Sequence, residues 1–265
     1  MARIYPLFSS SKGNASFVGS PHGGVLIDAG VSCKRLMQAL GDCGIPESAI
    51  RGIFITHDHS DHIKGLRMVT KRLKVPVYAQ AQTLEKLIAG EHLAPGCPAQ
   101  VMEGAVTAGD AELTAFDIPH DTVQSCGYRI RTGDGRTCAV CTDLGHVTPT
   151  VHQALLGCDL VLLEANYDPR MLANGPYPGY LKQRIASERG HLSNPDSGAL
   201  AAALVAAGTT RLILGHLSQG GSPGHGQGNG AALWPVRSGG KADPRGAEYD
   251  HCRGNESQQG TYGAV

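Results

Sequence analysis

The chain has 265 residues with 23 basic and 23 acidic side chains, so its formal charge is zero. That balance argues against coating nucleic acid through bulk charge, although a local basic patch is compatible with it. The apolar fraction of 41%, with only 5% aromatic residues, predicts a real and mainly aliphatic core. The start, MARIYPLFSSS, lacks the pattern of a signal peptide, and no apolar run approaches the ~20 residues of a membrane span, so a cytoplasmic protein without membrane contact is expected.

In chain order, ARIYPLF, ASFVGS and GGVLIDAG read as short strands. The loop Ser9 to Asn14 joins the first two. VSCKRLMQAL is a helix, and GIFITH is a buried strand. Ser60 is then a good N-cap for a helix continuing through IKGLRMVTKRLK. VPVYAQ returns as a strand and QTLEKLIAG as a helix. AELTAFDIPH and CGYRIRTGDGRTCAVCTDLG are strand-rich, with Gly133-Asp134-Gly135 turning a hairpin. DLVLLEA is a buried strand, LKQRIASERG and NPDSGALAAALVAAG are helices, and TRLILGH is the last strand. Strands cluster in both halves with helices after them, which predicts two packed sheets with helices outside.

Eight cysteines form no evident framework. Cys138 and Cys141 make a CxxC, but on a strand a spacing of three sends the two sulfurs to opposite faces. The favoured reading is two small, half-buried thiols in a reducing compartment.

The stretch THDHSDH carries the chemistry. Imidazole and carboxylate are ligands for zinc and similar divalent ions. His57 and His59, two apart at a strand end, point to one side. Asp61 and His62, in the first helical turn, project from another direction. One loop thus offers ligands to two metals.

This HxHxDH stretch, with Asp28 in LIDAG, His120 in IPHDTVQSCGYRI, Asp143 in CTDLG and His216 in LILGHLS, resembles the metallo-β-lactamase superfamily. The stretches FSSSKGNASFV, LEANYDPRMLANGPYPGYLKQRI and GHLSNPDSG make it similar, more narrowly, to the WalJ (YycJ) family of exonucleases on that fold. The resemblance spans about residues 7 to 218. It implies a four-layer αββα sandwich and two divalent metal ions, zinc or manganese. His57, His59 and His120 would hold one, Asp61, His62 and His216 the other, and Asp143 would bridge them. Asp28 would buttress the metal loop. Nucleic acid, and DNA in particular, is the substrate the resemblance suggests.

Phosphodiester hydrolysis needs an activated water and a partner for the leaving alkoxide. Asp61 can orient the water. His191, just before a helix, is the candidate proton donor, against the plainer reading of a surface histidine. Lys64, Arg67, Lys71 and Lys74 share one helix face, either as a phosphate track or as a solvated side. Ser9, Ser10, Ser11, Lys12 and Asn14 suit phosphate contacts or a plain hairpin. Glu164, Asn166 and Asp168 read as support behind the ligands.

The expected function is a two-metal DNA exonuclease. A thioester or lactone hydrolase on the same site is the alternative, and a non-catalytic metal-binding regulator is a third. Residues 1–219 form the expected catalytic domain. Residues 220–265 hold 12 of the 36 glycines without periodicity and are expected to be a disordered tail.

Overall fold

The computed structural model of the chain describes residues 1–217 and the backbone of 232–235. One sheet is built from β1 (Arg3–Ser10), β2 (Gly13–Ser20), β3 (Gly23–Ile27), β4 (Ile50–Phe54), β5 (Val77–Ala79) and β6 (Ala99–Val101), in that spatial order. β1, β2 and β3 are antiparallel, and β3 to β6 run parallel. The second sheet holds β7 (Ala105–Ala108), β8 (Ala111–Asp117), β9 (Cys126–Arg131), β10 (Thr137–Cys141), β11 (Leu160–Glu164), β12 (Arg211–Gly215) and β13 (Ala232–Pro235). Its order is β13-β12-β11-β10-β9-β8-β7, and the neighbours β10, β11 and β12 are parallel.

The parallel strands need crossovers, and these are the helices. α1 (Cys33–Asp42), α2 (Ser60–Ile63), α3 (Leu66–Leu73) and α4 (Ala81–Ala89) serve the first sheet. α5 (Pro149–Leu155), α6 (Pro169–Asn174), α7 (Gly179–Ile185) and α8 (Asn194–Ala206) follow in the second half.

Three apolar layers hold these parts together. Between the sheets lie Val25, Ile27, Phe54, Leu113, Tyr128, Ile130, Val140 and Leu162. Outside the first sheet, Leu26, Ile53 and Ile55 pack on Leu36, Leu40, Leu66, Val69, Leu84 and Leu87 of its helices. Outside the second, Ala139, Val161, Leu163 and Leu212 pack on Val151, Leu155, Leu200 and Leu204. Each sheet is therefore apolar on both faces, and the result is the four-layer αββα sandwich. Cys138 lies in the central layer and Cys141 in the outer one, on opposite faces as strand geometry requires.

Two local expectations change. The helix after the histidine motif is broken into α2 and α3. Its N-cap is His59, with Ser60 as the first helical residue. The break at Gly65 lets its N–H donate to Ala29 O at 2.8 Å, and a Cβ there would stand 1.8 Å from Val31 O. Close approach to the Ala29–Val31 turn, possible only for glycine, outweighs helix continuity. The loop expected at Ser9–Asn14 shrinks to Ser11 and Lys12, because Ser9, Ser10, Gly13 and Asn14 are paired in β1 and β2. α5 was not read from the sequence, although Thr148 caps Val151 N and Pro149 opens the helix.

Four residues from the expected tail, Ala232–Pro235, pair antiparallel with β12. The expectation for the rest of 220–265 lies outside the described residues.

Candidate metal centre

The site lies beyond the carboxyl ends of the parallel strands of both sheets. β3 leads into Asp28, β4 leads into Thr56–His62, β10 leads into Asp143, β11 ends at Glu164 and β12 leads into His216. Asp28, Asp143 and His216 each adopt a left-handed backbone, with φ of 64°, 59° and 54°. Such conformations cost on the order of 1 kcal/mol or more for a residue with a Cβ. All three turn the chain sharply at a strand end and bring a ligand-type side chain inward.

His57, His59 and His120 converge first. His57 Nε2 is 3.1 Å from His59 Nδ1, and His120 Nε2 is 3.3 Å from the same atom. Two nitrogens bound to one tetrahedral ion at about 2.0–2.1 Å stand about 3.3 Å apart, so this spacing fits a shared cation. The outer ring atoms of two of these residues are anchored: His120 Nδ1 donates to Gly190 O at 3.0 Å, and His57 Nδ1 meets Thr56 Oγ1 at 3.0 Å. Burial, followed by the neighbouring His62, holds the His57 imidazole well below its ordinary range, which favours the neutral form that a cation requires.

The second cluster surrounds Asp143. His62 Nε2 is 3.3 Å from Asp143 Oδ2, and His216 Nδ1 is 3.4 Å from Asp143 Oδ1. Asp61 Oδ2 is 3.7 Å from His62 Nε2. Two buried atoms here, Asp143 Oδ2 and His216 Nε2, have no hydrogen-bond partner. Orphaned buried acceptors at the centre of a ring of imidazoles are costly in a protein without a cation and are satisfied by one. Burial opposes the charge of Asp143, yet His216 and His62 outweigh it and hold the carboxyl well below its usual range. Burial likewise opposes charge on His62, but Asp143 and Asp28 outweigh it and raise that imidazole well above its ordinary range. A cation beside Asp143 would take the place of the proton so drawn onto His62.

The supporting residues are as specific as the ligand set. Asp28 accepts from Thr56 N at 2.8 Å, Thr56 Oγ1 at 2.9 Å and His62 Nδ1 at 2.8 Å. Glu164, fully buried, accepts from His216 Nδ1 at 2.7 Å, His191 Nδ1 at 2.9 Å, Leu144 N at 2.6 Å and Leu192 N at 3.1 Å. Asn166 donates to His216 O, and Ser9 Oγ accepts from His216 N. Asp168 instead caps α6 through Arg170 N and Met171 N.

Of the remaining sequence candidates, Asn14 is buried, and its Nδ2 reaches Asp61 Oδ2 at 3.1 Å and His62 Nε2 at 3.0 Å. It holds the ligand loop in place. Ser11 and Lys12 are exposed at the hairpin tip, and Lys64 is exposed beyond α2. Arg67 donates to Glu91 O and Glu91 Oε2. His191 is partly buried among His120 and His216, with ring centroids 5.3 and 5.0 Å away. Burial lowers its imidazole, but the Glu164 carboxylate outweighs this and raises it to about 9 in the protein alone.

Three contributors escaped sequence reading. Thr56 relays Asp28 to the histidine loop. Asp121 Oδ1 stands 3.4 Å from His120 Nε2 and 3.7 Å from His59 Nε2. Arg184 Nε donates to Asp121 Oδ2. The position of Thr56 directly before the histidine motif was the one available signal.

The domain described as the β-lactamase superfamily domain matches residues 24–217. Exodeoxyribonuclease YycJ of Bacillus anthracis is 33% identical over 217 residues, covering 80% of this chain and 81% of that protein. Exodeoxyribonuclease WalJ of Streptococcus pneumoniae is 32% identical over the same length, covering 80% of each. Among solved structures, zinc-bound PqqB from Methylobacterium extorquens superposes with a TM-score of 0.64 at 15% identity, covering 82% of this chain and 89% of that one, which shows the shared fold. The chain belongs to the β-lactamase superfamily and, within it, to the family of the YycJ and WalJ exodeoxyribonucleases. The His/Asp cluster on this fold is a site for divalent metal ions. No helix among the described residues is long and apolar enough to cross a membrane.

Proposed function

We propose that this protein is a metal-dependent phosphodiesterase that degrades DNA from an end, using two divalent cations, zinc or manganese. One observation carries the reading. A full set of imidazole and carboxylate donors converges around orphaned buried atoms, in a chain one third identical across four fifths of its length to a protein named as an exodeoxyribonuclease.

In this reading His57, His59 and His120 hold one cation, and Asp61, His62 and His216 hold the other. Asp143 lies between them. The all-imidazole first set suits zinc, and the carboxylate-bearing second set also accommodates manganese. Two cations held there would supply a water acidified to a pKa of about 7 and would neutralise charge on the phosphate.

The chain's own groups do the rest. Asp61, fixed by Asn14, orients the water. His191 uses Nδ1 on Glu164, so the Nε2 proton is the one it offers to the leaving oxygen. The Glu164 carboxylate orients that imidazole and favours its protonated form. Lys64, Ser11 and Lys12, all exposed, are contacts for the flanking phosphates; Arg67 is engaged by Glu91.

The test is cleavage of end-labelled single-stranded and duplex DNA and RNA with zinc or manganese varied. Stepwise release of nucleotides from a DNA end is expected, and it should vanish in Asp61→Ala and His59→Ala. Hydrolysis of thioesters or lactones with no cleavage of any nucleic acid would overturn the reading in favour of a small-molecule hydrolase.

A further inference from the structure

Helix α7 has no buried residue, an unusual state for a helix beside a metal centre. It nevertheless has a firm anchor at its carboxyl end. Ile185 O accepts from His191 N at 2.9 Å. Gly190 sits directly beneath, where a Cβ would stand 2.2 Å from Arg184 O and 2.3 Å from Ile185 O. The Gly190 carbonyl is the one that accepts from His120 Nδ1. Arg184 donates to Asp121, whose other oxygen faces His59 and His120, and Arg184 also lies within the electrostatic reach of Asp61. The last turn of α7 is thus part of the frame of the metal centre.

The first turn is the opposite. Tyr180 is 74% exposed and, among the described residues, is the one aromatic side chain left so open. It lies four residues before Arg184, which is 58% exposed, so the two share a helix face with Cβ atoms about 5–6 Å apart. From 169 to 187 the chain carries Arg170, Lys182 and Arg184 and no acidic residue. An exposed aromatic ring one helical turn from a guanidinium at the mouth of a cation site, on a basic segment, matches what single-stranded nucleic acid requires. Bases stack on aromatic faces, and cations follow the backbone.

We propose that α7 is the platform that receives a single-stranded end: Tyr180 stacks on a base one helical turn from Arg184, whose guanidinium is held by Asp121 at the metal centre. The proposal rests on the nuclease reading above and adds to it the strand state of the substrate and the residues that recognise it. The tyrosine ring is presented without the entropy cost of a long flexible side chain.

The test uses the full chain and a fluorescent, nuclease-resistant phosphorothioate oligothymidylate, with binding read by anisotropy. Tyr180→Ala is expected to weaken binding about tenfold or more, and Tyr180→Phe to retain it, because stacking needs the ring and not the hydroxyl. On an oligonucleotide of the same length made of abasic units, the difference between tyrosine and alanine should disappear. Equal binding by Tyr180→Ala and the unchanged protein would overturn the proposal. So would an equal loss on the normal and abasic strands, or a loss in Tyr180→Phe, since each points to a contact other than stacking. Thermal midpoints of both variants separate binding loss from misfolding. If the unchanged protein cleaves DNA while these expectations fail, the platform alone is wrong. If it cleaves no nucleic acid, the nuclease reading falls first.

Discussion

The Asp28 carboxylate accepts a hydrogen bond from His62 Nδ1 at 2.8 Å, and it is also the acceptor for both polar groups of Thr56. A single buried side chain at the end of β3 thereby orients the ring that presents Nε2 to Asp143. The left-handed backbone at Asp28 is what brings the carboxylate under the loop.

Asp28→Asn tests that support with little change of shape. Asparagine tolerates the left-handed conformation, but its one oxygen cannot replace a carboxylate accepting three donors. Metal affinity, measured by competition with a chelator, is expected to fall about 10–100-fold. Unchanged affinity would remove Asp28 from the machinery of the site.

Cation binding should stabilise the fold. Asp143 Oδ2 and His216 Nε2 are buried without partners, so a chelator is expected to lower the thermal midpoint. Restoring the cation at a hundred times its dissociation constant should recover about 2.7 kcal/mol. Elemental analysis is expected to approach two ions per chain. Saturation at one ion would eliminate the two-cation mechanism.

Two glycines should respond in opposite directions to alanine. At Gly65 the new Cβ meets Val31 O at 1.8 Å, so Gly65→Ala is expected to cost at least about 2 kcal/mol by displacing the metal loop from the Ala29–Val31 turn. Gly41 lies within α1, where a Cβ meets nothing within 4 Å, and Gly41→Ala should gain about 0.5–1 kcal/mol. Urea unfolding of both variants measures the contrast, and equal effects would show that the close approach at Gly65 is not limiting.

Burial pushes the Cys126 and Cys138 thiols up to about 12. A raised thiol pKa means less thiolate, about one part in ten thousand at pH 8, four units below it. Both should resist a disulfide reagent at pH 8 in the folded protein and react fully in denaturant. Cys33 and Cys97, only partly buried, should react first. Rapid modification of Cys126 in the native state would contradict its place in the core.

Much of the centre was legible from residue types alone. The HxHxDH spacing announced two ligand directions, and His120, Asp143 and His216 followed from the family resemblance. Most strands carrying these residues are short apolar runs bounded by turn residues, and they were readable for that reason. Thr56 and Asp121 were not readable, because a hydroxyl or a carboxylate beside a histidine has no periodic signature. The break between α2 and α3 was missed because the amphipathic pattern runs through it unchanged. It is set by Ala29 and Val31, more than thirty positions earlier.

The sequence by itself determined the chemistry at hand: which ligand-type side chains are offered together, and that alternating runs of strands and helices with apolar faces must stack in layers. That information is local, held in residue type and in periods of two and 3.6. Only the tertiary structure decided that Glu164 orients His191 and His216 together, that Asn14 braces Asp61 and that Arg184 reaches Asp121. These contacts join positions 27 to 63 residues apart, and they depend on the three-dimensional angle at which strand ends meet. Hydrogen bonds are directional and short-ranged, so their partners are selected by folded geometry, which no residue spacing encodes.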